Sequence, residues 1–141
     1  MQIRKTKRED LKKIVKIFRI EKAKKPYSQK LTNLEASGKI KNFFEKDDMY
    51  TLEINKTVIG FCVCEKKNRE KIYLSELWID KKHQNKRFGK EIMNFIEDKY
   101  KKNGYKEISL VADKNANASK FYEKIGYKVK NEWLNMVKKL K

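Results

Sequence analysis

Histidine occurs once in this chain, at His83, and proline once, at Pro26; cysteine occurs twice, at Cys62 and Cys64. Four zinc ligands are hard to assemble from one His and one C-x-C pair, which argues against a metal site. Strand residues two apart share a face, so the two thiols are expected to be small buried hydrophobes. Nucleophile–histidine chemistry would have to use His83 as its base. No apolar run approaches membrane-spanning length, and the basic N-terminus lacks the apolar stretch of a signal peptide. No membrane association and a soluble, cytoplasmic protein are therefore expected. Arginine is also scarce: Arg4, Arg8, Arg19, Arg69 and Arg87 stand against 32 lysines. A nucleic-acid reader usually clusters its charge and uses Arg forks. Lysine spread along the chain argues against a dedicated nucleic-acid role, although a net charge of +18 would attract a polyanionic small ligand.

What is present is enough for one domain over residues 1–141 with a real core. Seven Phe, seven Tyr and two Trp argue against disorder despite 40% charged residues. The N-terminus reads as a short strand and then a helix, with Thr6 and Glu9 at capping-box spacing and Leu11, Ile14, Val15 and Phe18 at helical period. Pro26 ends that unit. A second helix is expected from about Ser28 to Phe44, with a break at Ser37-Gly38. Three strands follow at about 49–54, 57–65 and 71–79, turning at Asn55-Lys56 and at Lys66–Glu70. Ile92, Met93, Phe95, Ile96 and Tyr100 then mark a helix from Arg87 to about Lys102, closed by Gly104. Lys106–Ala112 reads as a strand and Asn115–Gly126 as a short helix. The last segment is one bent strand or a hairpin. The order is β-α-α-β-β-β-α-β-α-β(-β), an α+β mixture in which a strand–helix–strand crossover joins two parallel strands.

Two stretches carry chemistry. The first is Gln84-x-x-Arg87-x-Gly89, opening the long helix. The second is Asn115-x-x-Ala118-x-x-Phe121-Tyr122-x-Lys124-x-Gly126-Tyr127. Backbone N–H groups at a helix start are unpaired, and the helix dipole favours an anion there. Lys86, Arg87 and Lys90 are poor choices for that end unless an anion sits against it. A first-turn residue holds an ordinary negative φ, so glycine is not sterically required at position 87; Gly89 is expected to permit close approach to backbone.

With their spacing and the strand order around them, the two stretches resemble the GNAT superfamily of N-acetyltransferases, over nearly the whole chain. The Gln84–Gly89 stretch is similar to that family's pyrophosphate loop, Q/R-x-x-G-x-G/A, with Arg87 in place of a glycine. The Asn115–Tyr127 stretch is similar to its N-x-x-A-x-x-F-Y-x-K-x-G-F helix. The resemblance implies a mixed, mostly antiparallel sheet of six to seven strands with helices on both faces, and acetyl-CoA as cosubstrate. Gln84, Asn85, Lys86, Arg87, Phe88, Gly89 and Lys90 then hold the pyrophosphate. Leu77, Trp78 and Ile79 pair through their backbone with the pantetheine arm, one N–H polarising the thioester carbonyl. Asn115 contacts the arm, and Tyr122 is the general acid for the leaving thiolate. Glu76 is the candidate base, but it alternates with Ser75, so a strand bulge decides which of the two faces the cleft.

The expected activity is acetyl transfer to a primary amine by direct attack in a ternary complex. The alternative is a non-catalytic acyl-CoA-binding or basic nucleic-acid-binding module on the same fold. The acceptor, a small molecule or a peptide amine, is shaped in this family by Ile20–Phe44 and Asn131–Lys141. Lysine richness there points to an anionic acceptor or a protein tail with acidic character; a peptide N-terminus, a polyamine and an amino acid are all open acceptors, though +18 would repel a polycation. A monomer or a homodimer is expected.

Overall fold

In a computed structural model of the chain, residues 1–113, 115–129 and 135–141 are described. Seven strands, β1 (Gln2–Lys5), β2 (Asp48–Ile54), β3 (Thr57–Lys66), β4 (Lys71–Ile79), β5 (Glu107–Val111), β6 (Lys128–Val129) and β7 (Asn135–Lys139), form one sheet in the order β1-β2-β3-β4-β5-β7-β6. Among the described residues only β4 and β5 pair in parallel. The C-terminal segment is thus two antiparallel strands, and residues 130–134 between them lie outside the described residues, as does part of Asn131–Lys141 on the expected acceptor side.

Helices α1 (Leu11–Ala23) and α2 (Asn33–Lys46) cover one face, and α3 (Phe88–Lys102) and α4 (Asn117–Lys124) the other. Ile14, Phe18, Ile40, Phe61 and Val63 fill the first layer. Ile92, Met93, Ile96 and Tyr100 from α3 pack on Cys62, Cys64, Ile72 and Ile108 in the second. Both cysteines are free, fully buried and part of that layer. Asn55 and Lys56 both take positive φ, 50° and 65°, which suits the two-residue turn of a twisted hairpin.

Local details differ from the sequence expectation. Thr6 does not cap the first helix: its hydroxyl is buried 2.7 Å from that of Thr51, joining the β1 end to β2. Asp10 replaces Glu9 in the turn, accepting from the Lys7 N–H at 2.7 Å and holding Arg4 through both carboxylate oxygens. The second helix starts later than Ser28, because Thr32 and Glu35 form the reciprocal cap that fixes its first turn. It also runs unbroken through Ser37-Gly38; Gly38 is exposed with open space beside it, so nothing there forces a kink.

Candidate active site

The β4–β5 ladder has three residue pairs, Lys71 with Glu107, Ile72 with Ile108 and Tyr73 with Ser109. Beyond Tyr73, β4 runs on to Ile79 without β5 beside it, so the sheet splits and a strand edge faces the gap. A cleft of about 500 Å³ opens there, a volume suited to a small-molecule ligand. The β4 end, the loop before α3, the start of α4 and the α1–α2 connection line it.

Leu77, Trp78 and Ile79 line the cleft from β4. A bulge precedes them: Val63 pairs with Glu76 and Cys64 with Leu74, leaving Ser75 unmatched. The extra residue reverses the alternation. Leu74 packs on the α3 layer before the bulge, and Leu77 and Ile79 do so after it. Glu76 and Trp78 are thereby turned toward α1 and α2. The Trp78 indole N–H donates to the Glu76 carboxylate at 2.7 Å. Burial pushes the Glu76 pKa up, while the indole bond and the charges of Lys22 and Lys39 offset part of the rise. Glu76 itself does not line the cleft; Trp78 does.

The loop before α3 is tightly turned. Asn85 has φ +62° and Arg87 φ +68°. Arg87 thus stands at the N-cap of α3 in a left-handed conformation, contrary to the negative φ expected from sequence, because the cap precedes the first helical turn. The first helical N–H to find an acceptor is that of Glu91, on the Arg87 carbonyl at 3.1 Å. Those of Phe88, Gly89 and Lys90 come before it and face the cleft end that these residues line. Asn85 and Arg87 line it too; Lys86 does not. Gln84 acts as a brace: its side-chain amide donates to Glu21 at 2.5 Å and to the Ile79 carbonyl at 2.8 Å. A Cβ on Gly89 would stand 3.4 Å from the Phe121 ring, so the glycine also serves the packing of α3 on α4.

From α4, Tyr122 lines the cleft at only 8% exposure, between Phe121 and Tyr127 at ring distances of 5.1 and 5.8 Å. Burial drives its phenol pKa well above the ordinary range. Its hydroxyl makes no hydrogen bond among the described residues. Asn115 lines the cleft just before α4, its N–H donating to Asp113 at 2.8 Å.

Sequence reasoning missed Tyr27 and Glu21. Tyr27 comes from the α1–α2 connection and meets Trp78 edge to face at 5.1 Å. Glu21 lies at the end of α1, buried, bridging Lys24 at 2.6 Å and Gln84. An aromatic residue inside a polar connection was the sole signal for Tyr27; nothing marked Glu21. Among the described residues no cluster of three or more His, Cys, Asp or Glu could hold a metal, and no helix is long and apolar enough to cross a membrane.

The cleft suits a coenzyme A thioester. Free helix N–H groups beside Arg87 and Lys90 match a pyrophosphate, and a free strand edge matches an amide-bearing arm. No curated protein matches the chain by sequence. Several solved structures share its fold. An aminoglycoside 6'-N-acetyltransferase complexed with coenzyme A is 13% identical, with a TM-score of 0.82 over 100% of this chain and 98% of that one. The PaiA N-acetyltransferase from Thermoplasma acidophilum, also with coenzyme A, is 22% identical, with a TM-score of 0.76 over 96% and 95%. A GNAT family acetyltransferase from Elizabethkingia anophelis with acetyl-CoA bound is 15% identical, with a TM-score of 0.65 over 73% and 82%. These complexes accord with acetyl-CoA as the cosubstrate. The family model for GNAT acetyltransferases matches residues 13–127, a span that takes in the split strand, the loop and the tyrosine helix. By that match the chain belongs to the GNAT family of acetyltransferases.

Proposed function

We propose that this protein is an acetyl-CoA-dependent N-acetyltransferase that moves the acetyl group to a primary amine by direct attack within a ternary complex. One observation carries the reading: Tyr122, whose hydroxyl makes no hydrogen bond among the described residues, lines a cleft that has helix N–H groups at one end and an aromatic wall at the other.

In this reading Phe88, Gly89 and Lys90 donate backbone N–H groups to the pyrophosphate. Arg87 and Lys90 add charge, Asn85 closes the loop, and Lys86 contributes only at long range. Gln84 holds the loop in place. The β4 edge at Leu77, Trp78 and Ile79 takes the pantetheine arm, with Asn115 on its other side, and one of those N–H groups polarises the thioester carbonyl. The amine nitrogen bonds to the carbonyl carbon as the carbon–sulfur bond breaks. Tyr122 gives its proton to the sulfur. An unperturbed phenol, pKa about 10, lies close enough to a thiol of about 8.5 for that transfer. Burial keeps the proton in place until a thiolate forms beside it, at some cost in acid strength. Glu76 receives the proton that the amine loses, through a water, because its carboxylate stands behind Trp78. One proton leaves nitrogen and one reaches sulfur; solvent exchange resets Tyr122 and Glu76.

A thiol-release assay over a panel of amines tests the activity. Tyr122→Phe is expected to lower kcat at least ~10-fold, with acetyl-CoA binding retained; unchanged turnover would remove Tyr122 from the mechanism. In the same assay kcat should rise with pH as Glu76 loses its proton, at a pH above the ordinary Glu range because burial raises its pKa. Glu76→Gln should abolish that limb.

A further inference from the structure

The helix pattern that Asn115–Tyr127 resembles ends in phenylalanine, whereas this chain has Tyr127 there. The added hydroxyl has a partner. It donates to the Glu97 carboxylate on α3 at 3.1 Å, from a side chain that is 2% exposed. Burial and the Glu97 charge raise the Tyr127 phenol pKa far above the ordinary range, so the group stays a donor. The other Glu97 oxygen accepts from Lys138 Nζ, on β7, at 2.7 Å. That ammonium also donates to the Ile125 carbonyl, at the C-terminal end of α4, at 2.9 Å, and stands 5.7 Å from the Tyr127 ring centroid. Its stem lies beside Gly126, where a Cβ would be 3.4 Å from the Lys138 Cε. One carboxylate thus ties α3, the end of α4 and β7 together. Neither Glu97, Tyr127 nor Lys138 lines the cleft.

Tyr122 leans on this end of α4. Its hydroxyl makes no hydrogen bond among the described residues, so packing orients its ring. Tyr127 supplies an edge-to-face contact at 5.8 Å, and its N–H donates to the Tyr122 carbonyl at 3.0 Å. Phe121 supplies a tilted contact at 5.1 Å. A Tyr127 ring held at its hydroxyl cannot drift, and a reacting group keeps its advantage only when its supports are held in this way.

We infer that Glu97 is a positioning residue for acetyl transfer, acting through the Tyr127 ring on the Tyr122 hydroxyl, with Lys138 as its anchor. The inference rests on Tyr122 as the acid and assigns what holds it in place.

The test is a double-mutant cycle read as kcat with the amine that turns over fastest. Tyr127→Phe keeps the ring and removes only the bond to Glu97. It is expected to lower kcat about fivefold, less than an ångström of misplacement can cost, with the KM for acetyl-CoA unchanged. In the Tyr122→Phe background the same change should have no further effect on kcat, because the hydroxyl being positioned is gone. Glu97→Gln, which still offers an acceptor to the phenol, should lose less than Glu97→Ala. Equal fold-losses in both backgrounds would show a structural role only and overturn the inference. Full kcat in Tyr127→Phe, with Tyr122→Phe impaired, would overturn it too and leave the acetyltransferase reading standing. Full kcat in Tyr122→Phe would remove the acid role and the inference with it. If no amine releases thiol, that reading fails instead, and fluorine NMR of fluorotyrosine-labelled protein decides on the brace. The Tyr122 resonance is identified by its loss in Tyr122→Phe. A shift or broadening of it in Glu97→Ala upholds the brace, and an unmoved resonance refutes it.

Discussion

Arg87 holds a conformation that suits glycine. At φ +68° an L side chain is strained by about 1 kcal/mol or more. The strain is borne next to N–H groups that face the cleft, where a guanidinium adds charge for an anionic ligand. Arg87→Gly should therefore move two properties in opposite directions. Thermal unfolding should show a gain of about 0.5 kcal/mol, the relief of strain less the entropy glycine adds to the unfolded chain. The KM for acetyl-CoA should rise several-fold. A fall in melting temperature would show that Arg87 is not strained. Position 87 was visible in the sequence as a departure from the loop pattern. Its φ was not, because a cap residue and a first-turn residue differ by one place, and helix starts are not legible to that accuracy. Tyr27 was hidden for another reason: it lies in a connection without periodicity, and only the packing of α1 on the sheet brings it to Trp78.

Among the elements, those with local signals were legible. The β2–β3 hairpin is defined by a two-residue turn, and α3 by its apolar stripe ending at Gly104, φ +87°. The Ser75 bulge was not, because a bulge exists only relative to a partner strand, and β3 is that partner. Its effect is to place Glu76 and Trp78 on the α1 side rather than in the α3 layer. The same two strands depend on Gly60, which pairs with Ile79. A Cβ there would stand 2.9 Å from the Trp78 carbonyl oxygen, a backbone atom that cannot rotate away. Gly60→Ala is expected to cost about 1–3 kcal/mol in denaturant unfolding, typical of overpacking, and to raise the KM for acetyl-CoA by displacing the cleft edge. An unchanged KM in a destabilised variant would mean that β4 absorbs the shift elsewhere.

At the scale of the whole molecule, charge and the split sheet matter most. A net charge of +18 accelerates the approach of any polyanion, and salt screens it beyond about 8 Å at physiological strength. The KM for acetyl-CoA should accordingly rise as salt increases; a KM unchanged by salt would mean that net charge plays no part in capture. The split behaves like a crack in a plate, with its tip at Tyr73 and Ser109. Behind the tip the plate is clamped. The Lys106 N–H donates to the Glu70 carbonyl at 2.8 Å, and Glu107 holds Lys71 at 3.6 Å and Lys139 at 3.3 Å. Overhead, α3 straps one leaf to the other. The width of the mouth is therefore set from its far end. Side chains with no access to either substrate, at the closed end of β4 and β5, govern how far apart the reacting groups are held.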